Sequence, residues 1–334
     1  MILHTNNFSI DKWESFISKN PFSSPFQSPS FFQYYNSVPG FSAQVFAVVD
    51  SDDIIALCVV TFQKEKGVKS FFSRRAIIYG GPLIADGPKG QAALSLLLGA
   101  IQKDVKHKVI YIETRNFFDY SDLKVCFTSR RWHYEPYLDI QIPLQGKSTE
   151  NIIADFKYNR RREISLSLKE AATYRPAENT EEITAIYYML KNLYKKRVNR
   201  PLPPLEFFIR LFQSEIGKVF VVLHDNKIIG GSVCFYHPAS SIFTMYYCGN
   251  RKYHTSIYPT HLSVLAAIEF GVNNNLKMLD LMGAGRPGVQ YGVRRYKSGF
   301  GGEMVEYGRF IKICNPLLYA MGKAGLAIMK KIRK

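Results

Sequence analysis

Cysteine is scarce in this sequence and never paired. Cys58, Cys126, Cys234, Cys248 and Cys314 make an odd set of five with no CxxC. Most lie among apolar neighbours, as in "ALCVV" and "SVCFY". They read as buried, reduced thiols rather than a disulfide scaffold, and they imply a reducing cytosol. The sequence also lacks any run of 18 apolar residues, so no ordinary membrane span is expected. The stretch "MILHTNNFSIDKWESF" has no apolar core of a secretory signal. The seven histidines are scattered, and no Ser-His-Asp or similar nucleophile arrangement can be recognised. Acidic residues are short in one half only. Residues 1–150 carry 16 Lys+Arg against 14 Asp+Glu, whereas residues 151–334 carry 28 against 13. Almost all of the net charge of +17 therefore falls in the second half. That half is expected to meet an anionic partner: RNA, an anionic membrane surface or a polyphosphate.

What the chain does have is length and apolar content. Its 334 residues, 46% of them hydrophobic and 14% aromatic, suffice for two domains with well-filled cores. It also repeats itself. "VFAVVDSDDIIALCVVTF" (45–62) aligns without a gap on "VFVVLHDNKIIGGSVCFY" (219–236), at an offset of 174 residues. Each reads as a strand, a polar turn and a second strand. Each is followed by a third strand, a helix and a further strand: "RRAIIYGGPLI", "GQAALSLLLGAIQKDV" and "KVIYIET" in the first copy, "SIFTMYYCG", "PTHLSVLAAIEFGVNNN" and "LKMLDLM" in the second. Helical stretches open the second copy, the first starting in a capping-box-like region at Thr149 and the second ending before "PLPP". The expected class is α/β (α+β): two tandem units, each a mixed, mostly antiparallel sheet flanked by helices. This plan resembles the GNAT acyltransferase fold twice over. The expected domains are 1–147 and 148–303. Residues 304–334 are expected to form a strand and a basic amphipathic helix packing on the first domain or on a membrane surface.

After "KMLDLM" comes Gly283-x-Gly285-x-x-Gly288, on its face a dinucleotide fingerprint. That motif needs its third glycine to open a long helix receiving a pyrophosphate. Pro287 precedes the glycine, and "VQYGVRRYKSGFGG" follows with more glycines, so no such helix is expected. A GNAT enzyme would hold the coenzyme A pyrophosphate in a glycine-rich loop before the crossover helix. Here "CGNRKYHTSIYPTHL" has Asn250, Arg251 and Lys252 but no spaced glycines after them. The first copy offers "YGGPLIADGPKGQAAL", with two prolines and only Lys89. Amides cannot approach a pyrophosphate closely without glycine.

The stretches "SPSFFQYY" (28–35), "IIYGGPLI" (77–84), "FKYNRRREI" (156–164), "LDLMGAG" (279–285) and "YGVRRYKSGFGGE" (291–303) resemble the FemABX aminoacyltransferases, over roughly residues 20 to 312. That family includes peptidoglycan bridge-forming enzymes. The resemblance implies transfer of an amino acid from aminoacyl-tRNA to an amine of a peptidoglycan or glycan precursor, lipid-linked in one version, without cofactor or metal. The unpaired thiols and the missing signal make a cytoplasmic protein the expectation, with peripheral contact at the inner face of an anionic membrane through 316–334. Two alternatives stand beside it: an acyl-coenzyme A-dependent N-acyltransferase on an amino sugar or glycan precursor, and a non-catalytic RNA- or membrane-binding module.

The activated ester needs no nucleophile, which leaves the protein positioning, proton acceptance and charge neutralisation. Lys297 is the first choice for stabilising the leaving ribose oxygen, its alternative being a solvated charge on a basic loop. Asp280, ending its strand, either orients the amine and takes its proton or caps a loop. Phe300 either stacks on a terminal adenine or packs in the core. Arg294 and Arg295 are assigned to phosphates. Arg197, in "YKKRVNRPLPP", stands where the family binds its precursor. Tyr247, Tyr253 and Tyr258 are expected to offer hydroxyls to the precursor or to be buried. Lys157, Arg160, Arg161, Arg162 and Lys169 form either a tRNA-phosphate patch or a solvated helix face. In the tail, Leu317, Met321, Ala324 and Ile328 fall at helical spacing before Lys330, Lys331, Arg333 and Lys334. That pattern suits either a membrane surface or a docked terminal helix.

Overall fold

A computed structural model describes every residue except Asn7, Lys66, Val68, Asn199, Arg333 and Lys334, with no side chain described at Lys69 or 326–332. The chain divides into two compact units. One comprises Met1–Pro136 with Tyr307–Lys334, the other Tyr137–Glu306.

The strands of the first unit are β1 (Ile2–Thr5), β2 (Ser42–Asp50), β3 (Asp53–Gln63), β4 (Arg75–Gly80), β5 (Leu83–Ile84), β6 (Tyr111–Asn116) and β7 (His133–Glu135). Those of the second are β8 (Leu138–Pro143), β9 (Thr173–Pro176), β10 (Gly217–His224), β11 (Lys227–Tyr236), β12 (Ser241–Gly249), β13 (Met278–Asp280) and β14 (Glu303–Glu306). A final strand, β15 (Arg309–Ile313), returns to the first sheet. The first sheet runs β1-β2-β3-β4-β6-β15-β7, with β5 beside β3, and the second runs β14-β8-β13-β12-β11-β10-β9.

The duplication extends to backbone detail. Both repeated hairpins, β2–β3 and β10–β11, turn through two left-handed residues, Ser51–Asp52 and Asp225–Asn226. Such turns match the twist of the flanking strands. Both hairpins also carry a register shift at equivalent places, between Val48 and Val49 and between Val222 and Leu223. In each unit a long helix, Gly87–Val105 or Pro259–Asn273, crosses over to a parallel strand. Its apolar side chains fill the core: Leu94, Leu97, Leu98 and Ile101 in the first unit, Leu262, Leu265 and Ile268 in the second.

The sequence-based boundary at 147/148 differs from the boundary in the structure. β8 lies beyond Pro136 and pairs with β13 and β14, so it belongs to the second sheet. In the other direction β15 pairs with β6 and β7 of the first sheet. The helical stretch from Thr149 is two helices, Thr149–Ala154 and Tyr158–Lys169, and the first is capped by the hydroxyl of Ser148. After β15 the helix Pro316–Ile332 belongs to the first unit. Among the described residues no helix is long and apolar enough to cross a membrane.

Candidate active site

The two sheets differ at the parallel seam. In the first unit β4 and β6 pair over six residues, from Arg75↔Tyr111 to Gly80↔Asn116. In the second, β12 and β13 pair over three, ending at Phe243↔Asp280. Beyond that point the chain stays bound to β8: the Leu281 amide donates to Ile140 O at 2.9 Å and the Ala284 amide to Leu138 O at 2.7 Å. Among the described residues, the rest of β12, Thr244 to Gly249, has no strand partner on that side. A bulge at Met245 against β11 re-aims β12 where it parts from β13. An opened parallel seam admits a ligand to backbone and side chains that a closed one covers.

Lys297 lies beside this seam. It reaches back to the left-handed Met282, 15 positions earlier in the chain. Its buried Nζ donates to Met282 O at 2.8 Å and to Gly283 O at 3.0 Å. Asp280 is fully buried and accepts from the Met282 amide at 2.6 Å and from Gln141 Nε2 at 3.0 Å. The Asp139 carboxyl, also buried, donates to Asp280. Burial pushes Asp139 far up from the usual carboxylate range, and the Asp280 charge adds to the shift. Burial raises Asp280 too. Burial brings Lys297 down to about 8, against the pull of both carboxylates. Two carboxyls sharing a proton beside an easily deprotonated ammonium make a local proton store.

An aromatic shelf adjoins it. Tyr247 stacks on Tyr296 at 5.4 Å between ring centroids. The Tyr296 hydroxyl donates to Thr260 O at 2.8 Å. The Arg160 guanidinium lies over the rings of Tyr296 and Phe300, at 4.7 and 4.4 Å. Arg160 pairs with Glu163 at 3.3 Å, and Glu163 accepts from His261 Nε2 at 2.9 Å. Burial, with Arg160 and Arg251 nearby, pushes His261 down to about 3, so the ring is neutral and carries its proton on Nε2. Burial raises Tyr247, and the neighbouring Tyr296, Tyr291 and Tyr194 act in the same direction. Tyr194 opens a π-helical turn, Tyr194–Val198, the kind of irregularity often found at functional sites.

The structure thus gathers Lys297, Asp280 and Tyr247, three residues singled out from the sequence. The others lie differently. Phe300 is fully buried, against Phe156 and Tyr296, so its ring is a core member and not a free stacking platform. Arg294 is no outward phosphate ligand. Its Nε donates to Ala284 O at 2.8 Å and its Nη1 to Val289 O at 3.1 Å, and Nη2 donates to Arg286 O. The glycine motif is therefore a ring of carbonyls closed around an arginine, the reverse of an amide nest for an anion. Arg295 and Arg197 are exposed. The Tyr253 hydroxyl bonds His224 Nδ1 at 2.8 Å, and Tyr258 packs on His261 at 5.2 Å. In the basic helix Arg160 is buried, and Arg161 donates to Ala154 O and Phe156 O, both at 2.7 Å. Lys157, Arg162 and Lys169 remain exposed.

Sequence reasoning missed Asp139, Glu163, His261 and Tyr296. A signal existed for the first. "LDIQIP" sets Asp139 and Gln141 on one face of an otherwise apolar strand, as "LDLM" does for Asp280.

The loop in the coenzyme position is occupied by itself. The amides of Lys252, Tyr253, Ser256 and Tyr258 donate to Asn250 Oδ1, Asn250 O, His254 Nδ1 and Ser167 Oγ. The helix behind it begins with Pro259, which has no amide hydrogen. In the first unit Gly80 and Gly81 serve packing. A Cβ on Gly81 would lie 2.5 Å from the Tyr120 hydroxyl, which donates to Gly80 O and Pro82 O. Among the described residues no cluster of His, Cys, Asp and Glu could hold a metal ion.

The fold is a tandem GNAT-like one: two mixed sheets, each flanked by helices. No protein-family model matches the sequence, and no curated protein matches it. Among solved structures, FemX superposes with a TM-score of 0.74 at 13% identity, over 95% of this chain and 99% of that one. The FemABX-like fold expected from the sequence is the fold observed. A tandem GNAT protein from the clavulanic acid biosynthesis pathway gives 0.56 at 9% identity, over 94% and 99%. L-PGS from Bacillus licheniformis gives 0.57 at 10%, over 96% of each chain.

Proposed function

We propose that the second unit catalyses acyl transfer to an amine, with an aminoacyl ester of tRNA as donor and a cell-wall precursor amine as acceptor. The observation that carries this reading is Lys297: a buried ammonium, pinned by two carbonyls beside an opened seam and backed by two carboxyls. The likeness to FemX and to tandem GNAT proteins supports the transferase class at the level of fold. The occupied amides around 252–258 speak for a donor other than acyl-coenzyme A.

In this mechanism the acceptor amine attacks the ester carbonyl, a C–N bond forms, and the C–O bond to the ribose breaks. Lys297 gives a proton to the leaving ribose oxygen and regains one from the nitrogen of the new amide. Asp139 and Asp280 hold Lys297 in place and keep it charged between turnovers. The Tyr247–Tyr296 shelf offers an apolar face to the donor end. Transfer from charged tRNA, run in parallel with acyl-coenzyme A and the same amine, tests the donor. Product from acyl-coenzyme A alone would overturn the tRNA reading.

A pH dependence follows. Lys297 must be protonated to act, so kcat/KM, expressed per free-base acceptor amine, should hold below about 8 and decline above it. An unperturbed lysine would decline only near ~10.4. Asp280→Asn removes a charge that favours the ammonium, so the declining limb should move to lower pH. Rates corrected for spontaneous ester hydrolysis would show this. A limb near 10 that ignores Asp280→Asn would remove Lys297 as the acid.

A further inference from the structure

In an amphipathic helix on a globular protein the apolar stripe normally faces the core. The C-terminal helix Pro316–Ile332 of the first unit carries apolar side chains outward as well as inward. Leu318, Tyr319 and Gly322 lean on the body, with Tyr319 against Tyr111 at 5.4 Å and Gly322 close to Phe72 O. Leu317 and Met321, one turn apart, are 71% and 48% exposed, and Ala320 and Ala324 share their side of the helix. Beside it stands the short helix Lys69–Ser73, whose Phe71 and Phe72 are 52% and 41% exposed and pack edge-on at 5.1 Å. Two adjoining elements therefore present large apolar side chains outward. Contiguous patches of this kind mark interaction surfaces, unlike singly scattered ones.

The flank of this patch says what it meets. Arg74 follows Phe72 in the chain by two residues, and its guanidinium lies 5.3 Å from the Phe71 ring. Arg74 also lines a surface cavity of about 420 Å³ together with Lys64, Arg75, Lys108, Gln44 and Phe62. The lining holds four cations and no carboxylate. Asp104, outside it, pairs with Lys108 at 2.8 Å. The sequence beyond Met321 adds Lys323, Lys330, Lys331, Arg333 and Lys334 and no acid.

We propose that this face docks on a bilayer of anionic phospholipid. The terminal helix lies in the interface with Leu317 and Met321 among the acyl chains. Phe71 and Phe72 insert beside it, and the cavity takes a headgroup phosphate. Apolar side chains ringed by cations are the chemistry that such a surface selects. The inference is independent of the transfer reaction.

Co-sedimentation of the full chain with vesicles tests it. Vesicles of phosphatidylglycerol and phosphatidylcholine should bind the protein, and vesicles of phosphatidylcholine alone should bind it far less. Lys64→Gln and Lys108→Gln should each weaken binding roughly fivefold, the effect of one cation near such a surface. Phe71→Ser with Leu317→Ser should abolish binding and, both positions being exposed, leave the melting temperature unchanged. Equal binding to both vesicles, no binding to either, or wild-type binding by the serine variant would overturn the proposal. So would stabilisation by inorganic phosphate without vesicle binding, which would make the cavity a site for soluble phosphate.

Discussion

Lys297→Met should lower single-turnover transfer from charged tRNA by about 10²–10³ per folded molecule, the cost typical of losing one preorganised donor at a developing oxyanion. Methionine keeps the length and volume of the side chain but has no charge. It cannot donate to Met282 O and Gly283 O, and it leaves Asp139 and Asp280 without their counter-charge. Stability should therefore fall too, by up to about 3–5 kcal/mol where a buried charge loses its partner. The carboxyls soften this by keeping a shared proton. Rates must be compared at a temperature where the variant is folded, with the melting curve alongside. Lys297→Arg should not restore transfer, because a guanidinium stays protonated throughout the working range and does not fit the site of a compact ammonium. It should also abolish the declining pH limb. Wild-type rates in folded Lys297→Met would make the lysine a staple of the 281–283 turn and nothing more.

Why the sequence revealed Lys297 and Asp280 but hid Asp139 is a matter of distance along the chain. The first two share one glycine-bounded stretch after one strand. Asp139 reaches them from β8, and its neighbour Gln141 meets Asp280 across 139 positions. β8 was not singled out as a strand, and its alternation is the same whichever sheet it joins, so its place in the second sheet could not be read. The duplicated hairpin was legible down to its turn, since left-handed residues require particular side chains there. Arg294 could not be read. Whether an arginine faces phosphates or carbonyls depends on the path of the loop around it, and the glycines at 283, 285 and 288 permit either. The open seam was equally invisible, because pairing that stops after three residues leaves no mark in composition.

Phe300→Ala separates the two meanings of that side chain. The ring is fully buried in the second core, at 5.4 Å from both Phe156 and Tyr296 and 6.0 Å from His261, with the Arg160 guanidinium over its face. Truncation removes these contacts and opens the core toward a surface cavity of about 270 Å³ that borders Phe300 and Gly301–Glu303. Phe→Ala changes in such cores typically cost ~3–5 kcal/mol. The surroundings can relax only in part, because Gly301 and Gly302 hold a left-handed turn in which a Cβ on Gly302 would lie 2.5 Å from Gln141 O. Denaturant unfolding should show the loss as a lower midpoint. Phe300→Leu, which keeps most of the volume, should recover much of the stability and fold Tyr296 and Arg160 back into place. A ring that served mainly to stack a tRNA base would behave in the opposite way: the leucine variant would be stable yet bind tRNA weakly, and the alanine variant would lose affinity without losing its fold. Unchanged unfolding in Phe300→Ala would return the residue to the binding surface.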